Sequence, residues 1–138
     1  MSELGGPDLG TKDRSLAVFD RRVESAAEAR SWLMSYLNER HVDEATAADA
    51  ALVVSELVTN ALRHGAGPTV VRAALTLGEV QLSVTDSGDG EPRMLPPEPG
   101  RVGGLGLVVV DRVTADWGVA PFPGGKTVWA LLARPSPS

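Results

Sequence analysis

The chain has no cysteine, which excludes disulfide frameworks, thiol nucleophiles and cysteine-ligated zinc or iron–sulfur centres. Its histidines are His41 and His64 alone, too few to build a histidine-rich metal site. Basic residues are scarce: 13 Lys and Arg stand against 18 Asp and Glu, a net charge of −5, with no Lys/Arg run. Direct nucleic-acid binding, which leaves a basic footprint, is therefore not expected. No apolar run approaches the length of a bilayer span, and the N-terminal residues lack an apolar signal core, so a cytoplasmic protein with no membrane role is expected. What is present is average for a soluble domain: 138 residues, 43% hydrophobic and 22% charged, enough for one core and one domain. Any chemistry must then rest on carboxylates, amides, hydroxyls and backbone groups.

Hydrophobic spacing divides the chain into elements. Residues 1–13 read as a flexible leader and 135–138 as a flexible tail, leaving one domain over 14–134. A first strand is expected over 14–20. Ser25 and Glu28 have the spacing of a capping box ahead of Ala29, Trp32, Leu33, Tyr36 and Leu37, an apolar stripe that predicts a helix ending near His41. A second helix, rich in Ala and Leu, is expected from Asp43 to His64, closed by Gly65 at C′. The period then changes to two. Residues 69–77 and 80–86 form a hairpin around Gly78-Glu79, with Val80, Leu82, Val84 and Asp86 sharing the parity that faces the helices. A Gly/Pro-rich loop follows to Gly104, then a helix from Leu105 to about Ala115 and a closing hairpin of 117–121 and 126–134. This order indicates an α+β fold, a two-layer α/β sandwich with helices on one face of a mostly antiparallel, mixed sheet.

Three constellations can carry chemistry. Glu56, Asn60 and His64 lie four residues apart on the second helix, hence on one face and about 6 Å apart along its axis. A glutamate is a potential general base and an asparagine oxygen a donor to a hard cation such as Mg²⁺. The alternative is an ordinary solvent-facing stripe. Asp86-Ser-Gly88-Asp-Gly90 follows a strand, where an inward Asp can accept from an exocyclic amine and glycines permit close approach; an ordinary Asp/Gly turn is the alternative. Gly103-Gly104-Leu105-Gly106 opens a helix and offers backbone N–H groups to an anion. Gly125-Lys126-Thr127 has the ending of a P-loop, but Ala120 stands where that motif needs glycine and the following residues are strand-like, so it is not one.

Taken in order, Glu-x-x-x-Asn, Asp-x-Gly-x-Gly, a Pro/Gly loop, Gly-x-Gly before a helix and a terminal strand with Thr resemble the ATP-binding fold of gyrase B, MutL and the sensor histidine kinases. The resemblance covers about residues 14–134, and within that superfamily it is greatest to the anti-sigma factor serine/threonine kinases. It implies a Bergerat-type fold with ATP and Mg²⁺ as cofactors. Asn60 would hold the metal and Asp86 would take the adenine amino group, with Gly88 and Gly90 turning beside the nucleotide. Gly104, Leu105 and Gly106 would meet the phosphates, and Thr127 would help fix the adenine through water. Residues 91–103 would form the ATP lid, with Arg101 as a phosphate contact.

Glu56 separates the subfamilies: sensor histidine kinases usually carry Asn there, whereas the serine kinases and ATP-hydrolysing members carry Glu, a group able to deprotonate an attacking hydroxyl. The resemblance therefore implies an anti-sigma regulator that phosphorylates an antagonist (anti-anti-sigma) protein on serine or threonine. Its partners would be a sigma factor, that antagonist and a possible second copy of itself, with Trp32, Tyr36 and the first strand as candidate contacts that core packing explains equally. The alternatives are an ATP-dependent binding regulator without phosphotransfer and a simple ATPase. His64 is read as a packing or capping group at the end of its helix.

Overall fold

A computed structural model describes residues 13–88 and 106–135. In chain order these form β1 (Asp13–Phe19), α1 (Ser25–Glu39), α2 (Glu44–His64), β2 (Thr69–Leu75), β3 (Glu79–Asp86), α3 (Gly106–Val113), β4 (Asp116–Phe122) and β5 (Gly125–Ala133). The strands make one sheet in the order β1-β2-β3-β5-β4, and every neighbouring pair is antiparallel. The α+β two-layer sandwich expected from the spacing is what forms. Among the described strands, however, the sheet has no mixed component.

Strand alternation sets which face is covered. Val71, Ala73 and Leu75 of β2, Val80, Leu82 and Val84 of β3, and Val128, Ala130 and Leu132 of β5 are buried beneath the helices. α2 runs through the centre, with Val53, Val54, Leu57 and Val58 at most 1% exposed; each such side chain stabilises the fold by about 1.5–3 kcal/mol. It packs against α1, α3, β3 and β5. This corrects one expectation: the 21 residues of α2 are long and apolar enough to cross a membrane. Contact on several sides explains that composition within the fold. The opposite sheet face carries Leu16 and Val18, each more than half exposed, together with Trp129, whose indole lies where a Cβ on Gly118 would sit.

The helix ends differ from their expected forms. Ser25 is the first residue of α1 rather than its cap; its hydroxyl donates to the Asp20 carbonyl and accepts from the Arg22 N–H. Glu28 pairs with Arg22 instead of closing a capping box. α1 ends in a Schellman turn: His41 is left-handed at φ 59°, its N–H donates to Asn38 O, and the Val42 N–H donates to Leu37 O, each at 3.1 Å. Val42 and Leu37 are both buried, completing the apolar contact of that motif. Asp43 caps α2, accepting from the Thr46 N–H at 3.0 Å and the Thr46 hydroxyl at 2.9 Å. At the other end Gly65 is extended (φ −110°, ψ −163°) rather than left-handed, so a reason other than helix closure must explain its glycine.

β1 begins at Asp13, one residue into the expected leader, because that residue is held in place. Its carboxylate accepts from Tyr36 Oη at 3.0 Å and Arg40 Nε at 2.6 Å. The Arg40 guanidinium, first of all through this hydrogen bond, holds the Asp13 carboxyl below its ordinary range. Burial, then the Asp13 hydrogen bond, pushes the Tyr36 phenol up to about 12. Trp32 stacks on Tyr36 and meets Phe19 edge-on, so both aromatic residues are engaged within the chain. Residues 1–12 and 136–138 lie outside the described residues.

Candidate functional site

Two polar residues interrupt the apolar lining of α2. Asn60 is buried at 7% exposure, and its Oδ1 has no hydrogen-bond partner among the described residues. A buried carbonyl oxygen left without a donor is costly, on the order of 1–3 kcal/mol, so this position suits an ordered water, an ion or a ligand atom. This removes the solvent-stripe alternative for Asn60. Glu56, one turn earlier, is only partly exposed, which leaves its carboxylate reachable from outside while it shares the Asn60 face. His64 ends the helix, partly buried.

The strand alternation of β3 carries Asp86 inward as expected, to 3% exposure. Its carboxylate is fixed from two sides: Gly88 N–H donates to Oδ1 at 2.7 Å, and Lys126 Nζ lies 3.1 Å from Oδ1 and 2.9 Å from Oδ2. Lys126 stands directly opposite Asp86 in the β3–β5 register and is itself 4% exposed. The glycines around the pair are required by contact. A Cβ on Gly65 would lie 2.5 Å from the Asp86 carboxyl carbon, and one on Gly88 would lie 2.5 Å from the Gly65 Cα. Asp86 therefore touches the C-terminal end of α2, between one and two turns beyond Asn60. Here lies the reason for Gly65.

Arg21, in the turn between β1 and α1, completes that helix end. Its guanidinium donates to Leu62 O and, at 3.0 Å, to Ala61 O, which also accepts from the Gly65 N–H at 2.8 Å; the cation opposes the negative end of the helix dipole.

The remaining expected site residues divide. Gly106 is the first residue of α3, whose Leu107 and Val110 are buried in the core. Gly90, Arg101, Gly104 and Leu105, with the whole 91–103 segment, lie outside the described residues. Thr127 is not brought to Asp86. It pairs with Thr85, the hydroxyl oxygens 2.7 Å apart, and the parity of β5 puts both on the sheet face away from the helices. The residue that faces Asp86 is its neighbour Lys126, which the sequence reading passed over with the rejected P-loop. A signal was available: Lys126 shares the parity of Val128, Ala130 and Leu132, so it stands at an inward position of an apolar strand.

Asn60 fits a hard cation because its oxygen is buried and has no partner among the described residues. Among the described residues no three His, Asp or Glu side chains converge as a metal site. A metal held here would take most of its ligands from phosphate and water, as Mg²⁺ does beside nucleotides.

A helix-covered antiparallel sheet with this polar corner defines the class: a Bergerat-type, histidine kinase-like two-layer sandwich. The profile of the histidine kinase-like ATPase domain matches residues 19–132, and the chain belongs to that family. Its fold is similar to the crystal structure of the RsbU and RsbW domains of Rv1364c from Mycobacterium tuberculosis, at 26% identity and a TM-score of 0.68 over 91% of this chain. The chain spans about a third of that protein, 34% of its length. The histidine kinase domain of a blue-light activated histidine kinase from Erythrobacter litoralis is 24% identical, with a TM-score of 0.47 over 78% of this chain and 60% of that one. No curated protein matches the chain.

Proposed function

We propose that this chain is an ATP-binding anti-sigma regulator that phosphorylates an antagonist protein on serine or threonine, acting in the cytoplasm. The observation that carries the reading is the buried Asn60 Oδ1, without a partner among the described residues and one turn from a partly exposed Glu56, beside a family match to an ATPase domain. The similarity to a structure containing an RsbW domain supports the anti-sigma assignment.

In this reading Asp86 accepts from the adenine amino group, Gly88 and Gly90 let the chain turn beside the nucleotide, and Gly104, Leu105 and Gly106, with Arg101, meet the phosphates. Asn60 would ligate Mg²⁺, which when bound offsets the charge of the triphosphate and polarises its terminal phosphoryl group. Glu56 takes the proton of the antagonist hydroxyl. That oxygen forms a bond to the γ-phosphorus as the bond from the γ-phosphorus to the β–γ bridging oxygen breaks, and ADP leaves. An acidic protein that binds an anionic nucleotide must do so through local groups rather than its overall field. The sigma factor, the antagonist and a second copy of the chain are the expected partners, with the exposed edge of β1 as the contact for the last.

The test incubates the protein with Mg·ATP and candidate antagonist domains and maps phosphosites by mass spectrometry. Phosphoserine or phosphothreonine that disappears in Glu56→Gln supports the kinase. Tight ATP binding with no transfer refutes phosphotransfer and leaves a binding regulator, and phosphate release without an antagonist marks an ATPase. Asn60→Ala should abolish Mg²⁺-dependent nucleotide binding in calorimetry; unchanged affinity would remove the role given to that oxygen.

A further inference from the structure

The most unusual group outside the proposed machinery is Lys126. The chain has only two lysines, Lys12 and Lys126, its other cations being arginine, and this one is 4% exposed within a strand row of Val128, Ala130 and Leu132. Stability does not explain it. A buried ion pair is often no more stabilising than apolar side chains of similar volume, and an apolar residue here would simply continue the row.

Counting hydrogen-bond positions shows what the pair has left over. Each carboxylate oxygen has two acceptor positions and an ammonium has three N–H donors. Asp86 Oδ1 is filled by Gly88 N–H at 2.7 Å and Lys126 at 3.1 Å, whereas Oδ2 receives Lys126 alone at 2.9 Å. One acceptor on Oδ2 and one donor on Nζ remain without a partner among the described residues. The carboxylate lies so close to Gly65 that no Cβ fits between them, and the Gly88 N–H holds Oδ1 in place. A free acceptor beside a free donor is complementary to a ring edge that carries an amino group next to a bare nitrogen.

We propose that Lys126 is a specificity-determining residue of this site, donating its third N–H to the ring nitrogen beside the amino group that Asp86 receives. Resting on the nucleotide reading above, it assigns adenine N1 to Lys126 and the 6-amino group to Asp86. Guanine reverses the pattern, setting its carbonyl oxygen against the Asp86 acceptor and its N1–H against the Lys126 donor, and is rejected twice over.

The test is competition against a fluorescent ATP analogue, with Mg²⁺, by ATP, 1-deaza-ATP (a carbon at N1) and 7-deaza-ATP (a carbon at N7). The unaltered protein should bind 1-deaza-ATP at least about ten-fold more weakly than ATP, the loss of one hydrogen bond from a charged donor, and 7-deaza-ATP as well as ATP. Lys126→Met should bind ATP and 1-deaza-ATP equally. Equal binding of ATP and 1-deaza-ATP by the unaltered protein overturns the proposal without any variant having to fold. Tighter binding of ATP by Lys126→Met also overturns it, because the lysine would then be an obstacle. Absence of any ATP binding by the unaltered protein refutes the nucleotide reading beneath it, a distinguishable result.

Discussion

Replacing Lys126 by methionine removes the counter-ion of a carboxylate whose side chain is 1% exposed. Removing one partner of a buried pair costs about 3–5 kcal/mol, because the other charge is left in a poorly polarisable interior. Asp86→Asn should cost a comparable amount: the amide oxygen can still accept from Gly88 N–H, but the ammonium is left without a negative partner. Against a typical domain stability of about 5–15 kcal/mol, either loss is roughly 30–50% of the whole for a domain of middling stability. The double variant carries no buried charge, so it should be more stable than the sum of the single losses allows, with a coupling of at least about 2 kcal/mol. Urea unfolding of all four proteins, followed by circular dichroism and tryptophan fluorescence, measures the cycle. Additive losses, or single variants within about 1 kcal/mol of the parent, would show that water reaches the pair and would refute the burial argument.

Gly88→Ala should destabilise by about 1–3 kcal/mol, because its Cβ meets the backbone of Gly65 and Ala66, whereas Gly78→Ala, with nothing within 4 Å, should be neutral or slightly stabilising. Thermal melts compare the two, and equal effects would contradict the close approach. His41→Gly should raise the melting temperature, since an L side chain at φ 59° costs about 1–2 kcal/mol and glycine returns only part of this as unfolded-state entropy. Tyr36 is the sole tyrosine, so absorbance near 295 nm reports it alone and should show a midpoint near 12 in the folded chain. Its folded value is raised, so its contribution to stability is complete below about 10 and is lost as pH rises through about 12. A midpoint near 10 in the folded protein would refute both the burial of the phenol and its contact with Asp13.

Much of the architecture was legible because periodicity encodes it. The alternation of 80–86 put Asp86 inward before any tertiary contact was known, and the Gly- and Pro-free run from 43 to 64 marked α2 to within a residue. Asn60 and Glu56 stood out by spacing, but whether that face was wet or dry depended on the layers around α2, which no local window contains. The partner of Asp86 was hidden for a similar reason. Lys126 meets it only because β5, not a sequence neighbour, lies beside β3, and strand order is not written in either strand. Thr127 was misplaced by position-matching, where counting parity from Val128 would have turned it outward. Gly65 misled differently: glycine after a helix suggests a left-handed turn, and here it makes room for a side chain from another element.

The corner around Asp86 is assembled from three distant stretches: Gly65 at the end of α2, Asp86 to Gly88 after β3, and Lys126 near the start of β5. As the chain is synthesised, β1, β2, β3 and the first two helices precede β5, so an emerging chain holds β3 with one open edge and Asp86 without its cation. A charged, hydrated Asp86 at that stage opposes closure of the sheet over its neighbours. Docking of β5 covers the edge and neutralises the carboxylate in one event. The corner that would read the base thus comes into being only with the last of the described strands, and any nucleotide recognised there binds after β5 has joined the sheet.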